Sequence, residues 1–277
     1  MTRPYKSLLI LLTLVALTSC TNNKPTTEAS PTETKLKEQV LQIIRENPQV
    51  LIESVQTYQQ EQDRKLQEAR QAFLQQMTTN PAAVIGDSPI TGAPDKKIVL
   101  VEFSDFQCPV CAEAQKSVKQ FIAKNKNKVT LTYKHLPLPQ HEQAIPAAKA
   151  SWAAGQQGKF WEYHDALFSQ QQNLGEPLYL EIAKKLKLDE NRFNQDRQSA
   201  AAEAAIQKDL QLAQSLGITG TPFFNLNGEP LIGAVQVADL EKVLAKVTGT
   251  NQTPTPKTET PAPEEQAPAE EPLPEEY

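Results

Sequence analysis

In Val101–Cys111 (VEFSDFQCPVC) a mostly apolar run leads directly into two cysteines separated by two residues. The run begins at Ile98, and Glu102 is its one charged residue before Phe103. This pattern predicts a short strand in a sheet that is covered on both faces. Pro109 suits the first turn of a helix, where no hydrogen-bond donor is lost. The sequence therefore places Cys108 at the junction of a buried strand and a helix.

The same junction predicts the chemistry of the two sulfurs. Free N–H groups and the helix dipole favour an anion at a helix N-terminus, so we expect Cys108 to be a thiolate at neutral pH. The spacing lets Cys111 reach Cys108 and close a disulfide. We expect Cys108 to be the exposed, attacking sulfur and Cys111 to resolve the mixed disulfide. Because Val110 adds neither charge nor a donor, the pKa of Cys108 should lie below about 8.5 but above the extreme of about 3.5.

Two other uses of a close cysteine pair are less well supported. A closed zinc site needs four ligands, but the chain has no second cysteine pair and only three histidines, at positions 135, 141 and 164. A structural disulfide between Cys108 and Cys111 would close a four-residue loop and gain little entropy. We therefore predict no metal site and a redox-active pair.

A hydrolase that uses a cysteine, a histidine and an aspartate is a third alternative, since Trp161, Tyr163, His164 and Asp165 lie together in the sequence. That group has the pattern of a helix core, and a second cysteine close to Cys108 would quench a free nucleophile by forming a disulfide. We expect His164 to be a packed helix residue.

Composition limits the classes of partner. The net charge is −5, and much of the acidic excess comes from glutamates near the C-terminus. The sequence therefore predicts no positively charged surface that would bind nucleic acid. Aliphatic and aromatic residues concentrate between about 84 and 247, which suits one domain. The segment 250–277 is rich in proline and glutamate, and we expect it to be a disordered tail.

The first residues have the pattern of an export signal. Arg3 and Lys6 precede an apolar run, Leu8–Leu17, which is about half of the roughly 20 residues that a membrane-spanning helix needs. We therefore predict a signal peptide at 1–19. The sequence LTSC, ending at Cys20, resembles the lipobox of bacterial lipoproteins, although an ordinary cleavage site beside an incidental cysteine also fits.

If Cys20 is acylated, residues 20–33 form a lipidated flexible tether. We then expect an exported protein, anchored to a bacterial membrane and facing the periplasm or another extracytoplasmic space. Apart from Cys20, Cys108 and Cys111 are the only cysteines. An exported chain of this kind therefore has no further cysteines that could form structural disulfides.

A helical arm is predicted at 34–79. One helix should end at Asn47, and a second should start at Pro48 with Asn47 as its N-cap. An apolar stripe follows one side of the second helix: Leu51, Val55, Tyr58, Leu66, Ala69, Phe73 and Met77. The stripe must be buried against something, either its own domain or other copies of the chain. We favour self-association of two or three chains through residues 34–78.

Residues 84–248 should form the domain itself. A strand at Val129–Tyr133 follows the helix that begins at Pro109. A long helical stretch then occupies about 141–216. Asn227-Gly228 then marks a tight hairpin turn, and a helix covers about Val237–Val247. This order predicts an α/β fold whose small sheet is interrupted once by helices.

Over about residues 84–247 the sequence resembles the DsbA-like disulfide oxidoreductases, which have a thioredoxin fold. Three motifs carry the resemblance in the order of the family: Val101–Cys111, Gly158–Phe168 (GKFWEYHDALF) and Gly217–Phe224 (GITGTPFF). The best-known periplasmic members carry histidine where Val110 stands. The resemblance implies an α/β, thioredoxin-like fold with a helical insertion, here preceded by the N-terminal arm.

The resemblance also implies roles for three residues. Thr221-Pro222 should be a cis peptide facing the sulfurs, with the Thr221 backbone able to pair with a substrate strand; an ordinary trans turn proline is the alternative. Glu102 should lie under the helix as the buried acid of the family and relay the proton of Cys111. A solvated carboxylate at a strand edge is the alternative for Glu102.

The predicted function is disulfide formation or shuffling in exported proteins that contain cysteines, with no bound cofactor. A membrane partner that keeps the pair oxidised or reduced is expected, but the sequence does not identify it. Reduction of disulfides is one alternative, and a chaperone-like module that uses the groove beside Pro222 without the sulfurs is another. An oligomerising arm favours shuffling over simple oxidation.

Overall fold

The computed structural model of the protein describes residues 31–249. The predicted signal peptide, Cys20, most of the tether and the predicted tail lie outside the described residues. The chain divides after Gln60 into two compact units, each of which is described by itself. Among residues 31–249, no helix combines the length and the apolar character needed to cross a bilayer.

The described part of the first unit contains helix α1 (Pro31–Glu46) and the beginning of α2 (Pro48–Thr79). The interruption falls at Asn47, as predicted, because Pro48 cannot donate within a continuing helix. Asn47 works differently from the expected N-cap: its Nδ2 donates to the Ile43 carbonyl at 2.8 Å and so satisfies the end of α1. Helix α1 also begins earlier than expected, at a proline that suits a first turn.

Many large apolar side chains of this unit are exposed to solvent, by 37% to 64%. They include residues from both helices: Leu36, Val40, Leu41, Ile43, Ile44, Val50, Leu51, Ile52, Val55 and Tyr58. Exposed large apolar side chains in this number leave much of the apolar character of both helices uncovered within the unit.

The second unit contains a five-stranded sheet whose strand order is β1-β3-β2-β4-β5. Strands β2 and β3 are parallel, and the other pairs are antiparallel. The strand bounds are Ile90–Gly92 (β1), Ile98–Ser104 (β2), Val129–His135 (β3), Phe223–Leu226 (β4) and Glu229–Ile232 (β5). The expected hairpin is present, and Asn227 and Gly228 both adopt positive φ in its turn.

Helices cover the sheet and form the insertion between β3 and β4. Their bounds are Pro81–Ile85 (α3), Pro109–Lys124 (α4), Ala144–Gly155 (α5), Phe160–Ser169 (α6), Glu176–Lys185 (α7), Glu190–Arg197 (α8), Ala200–Ser215 (α9) and Val237–Gly249 (α10). A 3-10 turn, Gln171–Asn173, follows α6. This is the predicted α/β, thioredoxin-like fold with a helical insertion.

Strand β1 was not predicted, because Thr91 and Gly92 have the composition of a turn. It forms by antiparallel pairing with β3, in which Ile90 lies opposite Thr132. Gly92 has φ +94°, and a Cβ added there would lie 2.3 Å from the Val129 carbonyl oxygen. A partner about 40 residues away in sequence therefore decides this strand.

Two apolar layers enclose the sheet. Leu100 and Phe224 pack under α4 and α10 on one face. Val99, Val101 and Phe103 pack on the other face, in a cluster that also contains two residues of α2, Phe73 and Met77. A third cluster lies within the helical insertion and includes Tyr163, Tyr179 and Phe193.

The apolar stripe of the arm is therefore not one continuous interface, and the expectation that all of it holds chains together is wrong for its C-terminal part. Phe73 and Met77 are buried in their own domain, and Leu66 and Ala69 are partly buried. Arg70 Nε donates to the Leu216 carbonyl at 2.9 Å, and this bond holds the C-terminal part of α2 against the segment after α9. Periodicity shows that a helix face is apolar, but it does not show what covers that face.

Candidate functional site

Cys108 occupies the predicted junction between a buried strand and a helix. Strand β2 ends at Ser104, and Cys108 is the N-cap of α4, with Pro109 as the first helical residue. The Cys108 N–H donates to the Asp105 carbonyl at 3.1 Å, so a tight turn connects strand and helix. No disulfide joins the two sulfurs in this structure.

The two cysteines differ in burial less than expected. Cys108 is 5% exposed and Cys111 is fully buried, so the accessible part of the first sulfur is small. Val110 is 39% exposed and lies at the surface between them in sequence.

The peptide bond between Thr221 and Pro222 is cis. The Cys108 thiol donates to the Thr221 carbonyl oxygen at 3.5 Å, which brings this loop directly against the motif. The structure therefore joins two segments that lie more than a hundred residues apart in the sequence.

Opposite pKa shifts distinguish the two sulfurs. The pKa of Cys108 is lowered to about 5, first by the hydrogen bond from the Cys111 thiol, then by Thr221 and by the N–H groups of Cys111 and Val110, against the effect of burial. Burial, with the neighbouring Cys108, raises the pKa of Cys111 well above its ordinary value. The direction for Cys108 is the expected one, although the partner thiol contributes more than the helix N-terminus.

Glu102 lies beneath the helix and is fully buried. Its Oε1 accepts a hydrogen bond of 2.7 Å from Gln115 Nε2, one turn beyond Cys111 on α4. Burial raises the pKa of Glu102 to about 7, and the nearby Ser104 side chain and the hydrogen bond from Gln115 partly oppose this shift. A solvated carboxylate at a strand edge is therefore excluded for Glu102.

Asp105 is a structural residue of the site that the sequence interpretation missed. Its carboxylate accepts from the N–H groups of Gln107 at 2.8 Å and Leu138 at 2.9 Å. It also pairs with His141 Nδ1 at 2.6 Å. These bonds tie the turn before Cys108 to the segment after β3, and nothing in a local pattern reveals partners that lie 33 and 36 residues away.

Gln171 is a second missed residue. From the turn after α6, its Nε2 donates to the carbonyls of Phe106 at 2.8 Å and Cys108 at 2.9 Å. The helical insertion thereby holds the backbone of the cysteine motif directly.

His164 is a packed residue of α6, as expected. Its ring contacts Tyr133 and Phe106, with centroids 5.2 Å and 5.6 Å away, and burial lowers its pKa. Its Nδ1 pairs with Asp165 Oδ1 at 3.1 Å. Within residues 31–249, no three acidic, histidine or cysteine side chains are grouped closely enough to hold a metal ion.

A groove of about 580 Å³ adjoins the cis-proline loop. Thr221, Pro222 and Ile232 line it from the domain, and Arg70 and Phe73 line it from α2. The covered part of the arm helix therefore forms one wall beside the site.

Comparison with known proteins places this arrangement in a family. The model of the DSBA-like thioredoxin domain matches residues 99–245. A Na(+)/H(+) antiporter NhaA of Salinispora arenicola is 33% identical over 167 residues, which are 60% of this chain and 26% of that protein. The antiporter NhaA of Herminiimonas arsenicoxydans is 34% identical over 168 residues, 60% of this chain and 27% of that protein. The chain thus spans about a quarter of the length of these curated relatives.

Solved structures agree on the fold. A thioredoxin-like oxidoreductase from Silicibacter pomeroyi is 31% identical, with a TM-score of 0.55, over 59% of this chain and 94% of that one. A compact conformation of ScsC from Proteus mirabilis is 23% identical, with a TM-score of 0.57, over 80% of this chain and 100% of that one. The family match covers more than half of the protein and includes Cys108 and Cys111. The chain belongs to the DSBA-like thioredoxin domain family.

Proposed function

We propose that this protein is a thiol–disulfide oxidoreductase that exchanges disulfides with exported proteins through Cys108 and Cys111. The observation that carries the proposal is the asymmetry of the pair: Cys108 has a pKa of about 5 and contacts the cis-proline loop, while buried Cys111 keeps its proton. A thiolate poised to attack beside a thiol that can resolve is the requirement for disulfide exchange.

The exchange runs in two reversible steps. The Cys108 thiolate attacks one sulfur of a substrate disulfide, forms a mixed disulfide, and releases the other substrate sulfur as a thiolate. Cys111 then loses its proton and attacks Cys108, which releases the second substrate sulfur and leaves a Cys108–Cys111 disulfide. The substrate gains two electrons and the protein loses two; the reverse sequence oxidises a substrate dithiol.

Neighbouring residues support both steps. In this proposal the Thr221 backbone pairs with an extended substrate segment that lies beside Cys108. The contact between Cys108 and Thr221 and the cis bond before Pro222 support this role. Glu102, with its pKa near neutral, accepts the proton of Cys111 when Cys111 attacks. Pro109 starts the helix whose N–H groups face the thiolate. Both steps proceed without a bound cofactor.

The location of the activity is part of the proposal. The signal pattern and the LTSC sequence support export and a lipid at Cys20, facing the periplasm or another extracytoplasmic space. A Cys20→Ala protein should lose membrane association and keep its exchange activity, as detergent partitioning and an insulin-reduction assay can measure. Unchanged partitioning would contradict the anchor. A membrane redox partner would then return the pair to its working state.

The direction that we favour is shuffling of wrong disulfides, followed closely by simple oxidation. The exposed apolar surface of residues 31–60 supports association of two or three copies, which would present several active sites to one misfolded substrate. The buried residues of α2 do not take part in that association.

Trapping of the mixed disulfide tests the proposed function. Cys111→Ser should accumulate a covalent complex with a scrambled disulfide substrate, because the resolving sulfur is gone, while Cys108→Ser should form none and lose turnover. Non-reducing electrophoresis and mass spectrometry detect the complex. Turnover that survives alkylation of Cys108 would contradict the proposal that the protein catalyses exchange through this sulfur. Aggregation suppression that persists in Cys108→Ser, without any trapped complex, would support the chaperone-like module instead.

A further inference from the structure

The loop between β3 and α5, residues 136–143, binds the turn between β2 and α4 and has no role in the steps above. Leu136 N–H donates to the Ser104 carbonyl at 2.9 Å, at the start of the turn. Gln143 N–H donates to Gln107 Oε1 at 2.6 Å, near its end. The loop therefore holds both ends of the turn that carries the attacking cysteine.

The Asp105 carboxylate, which is fully buried, holds the middle of the turn. Its Oδ1 accepts from Gln107 N–H at 2.8 Å. Its Oδ2 accepts from Leu138 N–H at 2.9 Å and pairs with His141 Nδ1 at 2.6 Å. Of these three partners only His141 contributes a side chain, and that side chain is 19% exposed. Because a buried carboxylate without partners is costly, the bond from His141 keeps Asp105 in place.

The main chain of Asp105 contacts both cysteines. Its carbonyl accepts from the Cys108 N–H at 3.1 Å. The Ser104 carbonyl accepts from Leu136, so the N–H of the same planar, trans peptide unit, which is that of Asp105, points the opposite way. Burial, followed by Cys108, raises the pKa of the Cys111 thiol, and the nearby Asp105 N–H is among the groups that oppose this rise. Asp105 thus connects the 136–143 loop to the resolving sulfur.

The position of the Asp105 N–H matters for only one of the two chemical steps. An N–H group beside a sulfur stabilises a thiolate more than a thiol. Cys111 becomes a thiolate when it resolves the mixed disulfide, so this N–H assists resolution. The Cys108 thiolate, which performs the first attack, is stabilised by the Cys111 thiol, by Thr221 and by helix N–H groups.

The 136–143 loop is itself fixed to the helical insertion. The hydroxyl of Tyr179, a residue of α7 that is 1% exposed, donates to Gln143 Oε1 at 3.0 Å. Within the loop, His141 N–H donates to the Leu138 carbonyl at 3.0 Å, which places the two donors to Asp105 side by side. The loop is therefore a fixed support against which His141 holds the turn.

We propose that His141 is a positioning residue for the resolving step: its bond to Asp105 fixes the turn so that the Asp105 N–H faces the Cys111 sulfur when that sulfur attacks. The proposal rests on the thiol–disulfide exchange proposed above. In this step the Cys111 thiolate forms a bond to the Cys108 sulfur, the bond between Cys108 and the substrate sulfur breaks, and the substrate sulfur leaves as a thiolate. His141 acts on this reaction through Asp105.

The experiment measures the two chemical steps separately, at pH 7, in the full-length protein. Reduced protein is mixed with an excess of a fluorescently labelled peptide disulfide; the first release of peptide thiol reports attack by Cys108, and the second reports resolution by Cys111. His141→Phe keeps a ring and removes the donor, whereas His141→Asn keeps an N–H donor near the position of Nδ1. Glu142→Ala, at the exposed neighbouring position, is the matched control.

We expect the rate of attack by Cys108 to stay within about twofold of wild type in all three variants. Resolution should slow about fivefold to tenfold in His141→Phe, which is part of the roughly tenfold to hundredfold that complete loss of a hydrogen bond to a charged group is worth. In His141→Asn the resolution rate should return to within about twofold of that in Glu142→Ala, because a donor to Asp105 is present again.

Equal resolution rates in His141→Phe and Glu142→Ala overturn the proposal. Slowing of both steps by the same factor, or slowing of resolution that His141→Asn shares, also overturns it, because the size of the side chain or the stability of the fold would then be the cause. His141→Ala adds no volume and repeats the test if His141→Phe does not fold. Failure of the first step in the unmodified protein would instead contradict the proposed function, so the two failures are distinguishable.

Discussion

At the scale of single residues, the site depends on two sulfurs of the same type that neighbouring groups make chemically unequal. The Cys108 thiolate is stabilised by the Cys111 thiol, by Thr221 and by two helix N–H groups. Burial has the opposite consequence for Cys111, which stays protonated. The difference determines which cysteine attacks and which resolves, because the thiolate is the nucleophile.

A stability measurement on the reduced protein checks the Cys108 shift. A pKa lowered from about 8.5 when unfolded to about 5 when folded means that the thiolate stabilises the fold fully above pH 8.5, and that this contribution disappears as the pH falls through 5. The excess stability of reduced wild type over Cys108→Ser should therefore shrink from pH 8.5 to 5. Urea unfolding measures it, and a constant difference would contradict the low pKa.

Glu102 should have the opposite linkage. Its pKa is raised from 4.5 to about 7, so ionisation costs about 3 kcal/mol in the folded state. That cost is absent below pH 4.5 and fully present above pH 7. Glu102→Gln should therefore unfold at higher urea than wild type at pH 8, and this advantage should vanish near pH 4. Equal stability of the two proteins at pH 8 would show that the carboxylate is better solvated than its burial indicates.

At the scale of elements, the sheet edge depends on a backbone contact that admits no side chain. Strand β1 approaches β3 so closely at Gly92 that a Cβ would collide with the Val129 carbonyl. The Gly92 backbone also has positive φ, which L-residues with a side chain rarely adopt. Both constraints act together on one residue of a three-residue strand.

A pair of glycine substitutions separates these two constraints. Gly158 also has positive φ, but no atom lies within 4 Å of its added Cβ, so Gly158→Ala should cost only the conformational strain, about 1–2 kcal/mol. Gly92→Ala should cost clearly more, because the obstructing atom belongs to the backbone. Denaturant unfolding of both variants measures the difference, and equal losses would show that β1 shifts easily away from β3.

At the scale of the whole molecule, the arm has two parts with different roles. Residues of α2 beyond position 60 complete the core of the domain, whereas the apolar side chains of residues 31–60 are exposed. A chain that carries such a surface gains free energy by covering it.

Substitutions in the two parts of the arm should therefore have different results. Val55→Glu places a charge on the exposed surface and should reduce the mass measured by light scattering to that of a monomer, with unchanged unfolding. Phe73→Ala should lower the stability of the domain by about 3 kcal/mol or more, since it empties a buried site. A wild-type protein that is already monomeric at micromolar concentration would contradict association through the arm. Assays with scrambled and with reduced substrates on both variants report whether association favours shuffling.

Features that depend on neighbouring residues were predictable from the amino-acid sequence alone. The buried strand, the helix that starts at Pro109, the break at Asn47, the hairpin turn and the cysteine pair all follow from local periodicity, proline and glycine, and all are present in the structure. The motifs that resemble the family also led to the cis bond before Pro222, because such motifs carry information on distant contacts that periodicity lacks.

The contacts between those elements became known only from the folded arrangement. It brings Thr221 to Cys108, Asp105 to His141 and Gln115 to Glu102, and it divides the arm stripe into a buried part and an exposed part. It also creates β1 from a segment with the composition of a turn. These outcomes depend on pairing and burial between residues far apart in the chain, and the energies of such contacts come from the folded arrangement rather than from the local sequence.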